Sequence, residues 1–185
     1  FDLALFYNRY DDLRTLEPEA AFVDNGVTVL PFVARNNGDA ETYGLEIAAD
    51  WTPKTWSQLR AAYSCRYVDL DIPSTDPVTE AFSDDTPRNQ FSLQNRFNLP
   101  KNFEIDTTLR YVDSLGGIDI DSYVELDARL AWRPTEDLEL AIVGRNLLHD
   151  EHQEFAPTFV NHVPTAVERE VYGKVTWRFQ PGKDK

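Results

Sequence analysis

The chain contains no methionine, a single cysteine, three histidines, and 18 basic residues against 32 acidic ones. Each shortage excludes something. Cys65 alone cannot close an internal disulfide, so cysteine usage leaves the compartment open. A net charge of −14 provides no basic patch for phosphates, which argues against nucleic acid as a partner. The acidic balance reads as solvated loops and tails. No stretch approaches the roughly 18 consecutive apolar residues of a membrane helix. Membrane strands stay open, because their alternation leaves only a weak hydropathy signal. No P-loop, dinucleotide fingerprint or nucleophile elbow occurs. All three histidines fall between 149 and 162, so no rigidly supported Ser–His or Asp–His arrangement is in view. An enzyme and a bound cofactor are therefore not expected. With no methionine, and with Phe1 already in a strand-like run, the chain reads as a processed or truncated product, in which a missing signal peptide carries no information.

What the chain does have is period-two alternation. Val124, Leu126, Ala128, Leu130 and Trp132 form one apolar face, with Glu125, Asp127 and Arg129 between them. Phe103 to Tyr111 and Val171 to Phe179 repeat the pattern, as do Tyr43 to Trp51, Leu59 to Tyr67 and Phe91 to Phe97, where Asn95 is a polar exception. Ala141 and Val143 blur the polar side of Leu138–Ile142, and Phe1 to Asn8 reads as an opening strand. Short connections carry turn chemistry at 52–55, 99–102 and 133–137. Long connections at 68–88, 112–122 and 148–167 are acidic and rich in Pro and Ser. Short and long alternate strictly from Trp51 onward, as in an up-and-down outer-membrane barrel. Strand parity then favours one long strand from Val27 to Trp51 over a hairpin at Asn37-Gly38, giving about eight strands.

Aromatic residues sort by strand end. Trp51, Trp56, Trp132 and Trp177 lie at the short-turn ends, with Phe179 just beyond. Tyr7, Tyr10, Tyr43, Tyr63, Tyr67, Tyr111, Tyr123 and Tyr172 lie mostly toward the other ends. Rings with a polar tip settle at the headgroup level, so these tryptophans and Phe179 are expected to mark a membrane interface. The eight steps from Tyr43 to Trp51 rise roughly 20 Å at the usual tilt, near the apolar band of such barrels.

At this point a resemblance enters. Asn36-Asn37-Gly38 with Tyr43-Gly44-Leu45-Glu46, the strand Tyr123 to Trp132, Gly144-Arg145-Asn146-Leu147-Leu148, and Val171 to Phe179 resemble elements of TonB-dependent receptors in their order and spacing. The resemblance implies an all-β, antiparallel transmembrane barrel segment. Residues 1–179 would be about the last third of a barrel of about 22 strands, and 180–185 a polar tail. It implies uptake of a scarce ligand, such as a ferric siderophore, across the bacterial outer membrane. The implied partners are outer-membrane lipid, the plug and remaining strands of the same receptor, the TonB system acting through the plug, and the barrel-assembly machinery. No plug or TonB box is present. Two other readings stay open: a self-contained eight-stranded barrel with a structural or adhesive role, and a soluble β-sandwich or lipocalin-like binding module.

His149, His152 and His162, with Asp150, Glu151 and Glu154 nearby, are weak candidate metal ligands. A solvated loop is the plainer reading, and no metal is expected. The acidic run Asp69, Asp71, Asp76, Asp84 and Asp85 matches no EF-hand spacing.

Overall fold

The computed structural model describes residues 1–73, 86–156, 163 and 165–179. Its main body is a single antiparallel sheet of eight strands. In chain order these are β1 (Asp2–Pro18), β4 (Phe32–Lys54), β5 (Ser57–Asp71), β6 (Asn89–Leu99), β7 (Phe103–Val112), β8 (Tyr123–Trp132), β9 (Leu138–Arg145) and β12 (Glu170–Trp177). Two small hairpins, β2 (Phe22–Asp24) with β3 (Val27–Val29) and β10 (Glu151–Gln153) with β11 (Ala166–Glu168), sit in the long connections. Each main strand pairs with its neighbour in the sequence of the sheet. Among the described residues, the outermost strands β1 and β12 are not paired with each other, so the sheet is open.

Period-two alternation becomes one continuous apolar face. At one level Leu3, Ile47, Tyr63, Phe91, Tyr111 and Val124 lie opposite one another in consecutive strands. At another, Phe97, Ile105, Leu130, Ile142 and Gly173 do so. Among the described residues, nothing covers this face. Leu5 is 74% exposed, Ile142 61%, Val175 70% and Trp177 73%. The buried apolar side chains among the described residues are only Ala40, Leu115, Ile120, Ala131 and Ala141. A soluble sandwich would bury the large residues and leave no such patch, so that reading fails. The open sheet likewise does not support a closed eight-stranded barrel.

Most connections follow the sequence pattern, with informative shifts. The long strand is real but begins at Phe32, and Val27–Val29 instead forms a hairpin closed by Asn25 (φ 48) and Gly26 (φ 81). Asn-Gly turn chemistry is therefore used there and not at Asn37-Gly38. Gly38 lies in β4 opposite Leu13, where an added methyl would press on Ile72, Thr15 and Leu13. The turn expected at 52–55 falls at Thr55-Trp56, because the ladder is interrupted between Trp51 and Lys54, around Pro53, which has no N–H to donate. The opening strand runs on past Asn8 to Pro18, with a bulge near Asp12 (φ 59).

The strands differ greatly in reach. β8 has 10 residues, about enough to cross a bilayer, whereas β4 has 23 and rises roughly 55 Å. The β1–β4 and β5 ends beyond Tyr43 therefore stand well clear of the apolar band. Glu19, Ile72, Asp113 and Asn146 begin the long connections, and all of these lie at that end of the sheet.

Candidate functional site

The polar face carries the charge, and in its short-turn half six of the charges form one paired network. Arg129 on β8 reaches Glu104 and Asp106 on β7 and Glu139 on β9, the last at 2.6 Å. Arg96 binds Asp106 at 2.8 Å, and Arg133 binds Glu139 at 2.9 Å and Glu104 at 3.4 Å. Three guanidiniums and three carboxylates thus balance across four strands. Cross-strand register explains it: Arg96, Asp106 and Arg129 occupy one row. This network ties the wall together, and its six charges are engaged with one another.

The long-connection half is different. The Gly144-Arg145-Asn146-Leu147 element ends β9 and folds back on β8. Asn146 is fully buried with φ 48; its N–H donates to Asp127 at 3.1 Å, and its side-chain amide donates to the Val167 carbonyl at 2.9 Å. The Leu147 N–H donates to the Leu126 carbonyl at 2.9 Å. These bonds hold the β10–β11 hairpin beside the start of β8. The His152 ring on β10 then packs against Tyr123, tilted by 33° with ring centroids 4.3 Å apart. His152 Nε2 lies 3.2 Å from Glu154, and Tyr123 donates to the same carboxylate at 3.3 Å. Ligand atoms of Glu125, His152 and Glu154 all lie within 4.8 Å of one another. Arg110 contacts Glu125 at 2.7 Å and Asp127 at 3.6 Å.

The histidine candidates therefore separate. His152 enters a cluster; His149 does not, since its Nε2 is engaged by the Val124 carbonyl at 3.0 Å. His162 lies outside the described residues, as do Asp76, Asp84 and Asp85. Glu125, Arg110 and Tyr123 are the members that sequence reasoning placed only on strand faces or ends. Their one visible signal was a position near the long-connection ends of β7 and β8.

In the loop after β7, Asp113 accepts from the Asn89 side-chain amide at 2.8 Å and from the Tyr111 hydroxyl at 3.0 Å. The Asn89 bond is the chief reason its carboxyl is held below the usual range.

The aromatic residues take definite places. Trp51, Trp132 and Trp177 are on the apolar face near the short-turn end. Trp132 stacks on Phe103 at 5.9 Å, and Phe179 meets Trp177 edge-on at 6.3 Å. Trp56 lies in the turn itself, against Phe97 at 6.0 Å. At the other end Tyr43 stacks on Tyr67 at 5.2 Å. The tyrosine belt needs one correction. Strand parity puts Tyr10, Tyr123 and Tyr172 on the polar face, opposite Ala40, Val112 and Val143.

A family model described as TonB dependent receptor-like, beta-barrel, matches residues 1–147. The chain belongs to this family. As a TonB-dependent receptor barrel it sits in the bacterial outer membrane, in a family of transport receptors rather than enzymes. Solved structures agree in fold. The ferric-catecholate import receptor Fiu from E. coli K12 is 16% identical with a TM-score of 0.69, covering 96% of this chain and 25% of that one. The pyoverdine outer membrane receptor FpvA from Pseudomonas aeruginosa is 14% identical with a TM-score of 0.71, covering 96% and 27%. The siderophore receptor PiuA from Acinetobacter baumannii is 16% identical with a TM-score of 0.69, covering 95% and 25%. The chain thus spans about a quarter of the length of these receptors. No curated protein matches it. In the TonB-dependent receptor barrel the apolar face meets lipid and the polar face turns inward.

Proposed function

We propose that this chain is part of the barrel wall of an active importer that takes up a scarce ligand, a ferric siderophore or a similar metal chelate. The observation that carries the reading is the two-sided sheet, apolar outward and ion-paired inward, with long connections gathered at one end. Such a wall catalyses nothing. It offers a lipid-sealed passage, and the long connections with a plug supply ligand contacts. The TonB system drives release through that plug, and the barrel-assembly machinery inserts the strands. The siderophore receptors of similar fold support the ligand class without naming the compound. Residues 1–179 act as wall and 180–185 as a polar tail. Trp51, Trp56, Trp132, Trp177 and Phe179 anchor the wall at the inner headgroup layer, while Tyr7, Tyr43, Tyr63, Tyr67 and Tyr111 anchor it at the outer one.

The test is uptake in cells of the source bacterium grown under iron limitation. Deleting the gene that encodes this chain should abolish accumulation of at least one iron-55-labelled siderophore. Loss of TonB should give the same defect, and re-expression of the whole receptor should restore uptake. Unchanged uptake of every iron chelate and of vitamin B12 in the deletion strain would refute an importer.

A further inference from the structure

The cluster at the outer end of the polar face has chemistry that the wall does not need. Glu125 and Asp127 share a single guanidinium, that of Arg110, and Glu154 lies beside Glu125, so the group is anionic. Glu125 and His152 are nearly sealed, with side chains 6% and 9% exposed. His152 spends Nε2 on Glu154, while its Nδ1 is buried without a hydrogen-bond partner among the described residues. A buried ring nitrogen with no partner costs free energy unless something supplies a bond. Tyr123, packed against the ring, and the Asn146 clamp hold the imidazole beside the carboxylates. By contrast, the Arg129 network lower on the same face is charge-balanced.

We propose that Glu125, His152 and Glu154 form a binding site for a divalent metal ion of the zinc type, which clips the β10 segment to the barrel wall. The donor set of one imidazole and two carboxylates suits a borderline ion, since imidazole favours zinc and its neighbours over calcium or magnesium. Zinc holds such donors roughly 3.3 Å apart, as its bond lengths of about 2.0–2.1 Å require. The present spread is up to 4.8 Å, so binding draws the donors together by up to about 1.5 Å. Glu154 can make that move, because its side chain is 42% exposed on a connection rather than fixed in the sheet. Tyr123 and Arg110 are then left to hold the outer oxygens of the two carboxylates.

The experiment uses the whole receptor containing this chain, purified metal-free in detergent, with zinc ion alone as the probe. Isothermal titration should give one equivalent bound with a Kd in the micromolar range or tighter. His152→Gln and Glu154→Gln should each weaken binding at least tenfold. Glu151→Gln, one residue from His152 and outside the cluster, should not change it. Hydrogen exchange should slow at 149–155 on adding zinc. Glu154→Gln changes an exposed side chain, so its loss of binding cannot be laid to misfolding. The site is overturned by absence of saturable binding, by equal affinity in the Glu154→Gln receptor, or by calcium binding in preference to zinc. None of these outcomes depends on siderophore uptake, so the metal site and the importer reading fail separately.

Discussion

Replacing Arg129 with methionine tests whether the ion-paired wall stabilises the barrel. The Arg129 guanidinium is 23% exposed and serves Glu104 (12%), Asp106 (25%) and Glu139 (15%). Methionine fills much of the same volume but leaves three carboxylates against Arg96 and Arg133. Breaking a fully buried pair by removing one partner costs about 3–5 kcal/mol. Partial exposure lets water relieve some of this, so the expected loss is about 2–4 kcal/mol. With a urea slope of about 3 kcal/mol per M, the unfolding midpoint should fall by roughly 1 M. The assay is urea unfolding of the whole receptor in detergent, followed by tryptophan fluorescence; Trp132 lies three residues from the change. Arg129→Lys should fall between the two, because a single ammonium cannot span three carboxylates. Combining Arg129→Met with Glu139→Gln should recover part of the loss. A midpoint within about 0.2 M of wild type for Arg129→Met would show that the network is screened and stabilises nothing.

Four further outcomes follow from other parts of the wall. Gly44→Val should cost about 2–3 kcal/mol and deplete the folded band on unheated gels, since any Cβ there overlaps the Cys65 carbonyl and the Phe6 ring. Asn95 donates to Thr107 at 3.1 Å on the lipid-facing side, while its carbonyl oxygen is buried without a partner among the described residues. Thr107→Val alone should therefore destabilise by about 1–2 kcal/mol in the same unfolding assay, whereas adding Asn95→Leu should recover it or better. Leu109→Arg, mid-strand on the apolar face, should cost about 2–4 kcal/mol in lipid vesicles, but the neighbouring Thr108→Arg, facing inward, should cost far less. Asp113 is held ionised in the folded state, so its contribution is complete above the ordinary carboxylate pKa of about 3.9 and is lost as pH falls through the lower folded value. Hydrogen-exchange protection factors at residues 113–122, taken relative to the intrinsic rate at each pH, should thus fall on acidification in the wild type and show no such step in Asp113→Asn.

Alternation and turn chemistry pointed to an antiparallel sheet of about eight strands from the amino acids alone, while the soluble sandwich was excluded only by the exposed apolar face. Those signals are local: a strand shows its two faces every other residue, and Leu99-Pro100-Lys101-Asn102 turns wherever it is put. The same locality explains the misses. Parity of Tyr10, Tyr123 and Tyr172 was available but was overridden by their position at strand ends. The choice between Asn25-Gly26 and Asn37-Gly38 was not local at all, because pairing of Gly38 with β1 decides it. Tertiary structure alone decided which charges meet. Arg129 finds partners on two different strands, and Glu125 meets His152 across a return of 27 residues that the Asn146, Leu147 and His149 bonds close. Sequence dictates the faces of each strand because sterics act between neighbours; the sites arise from register and loop return, which are fixed only when the whole wall is assembled.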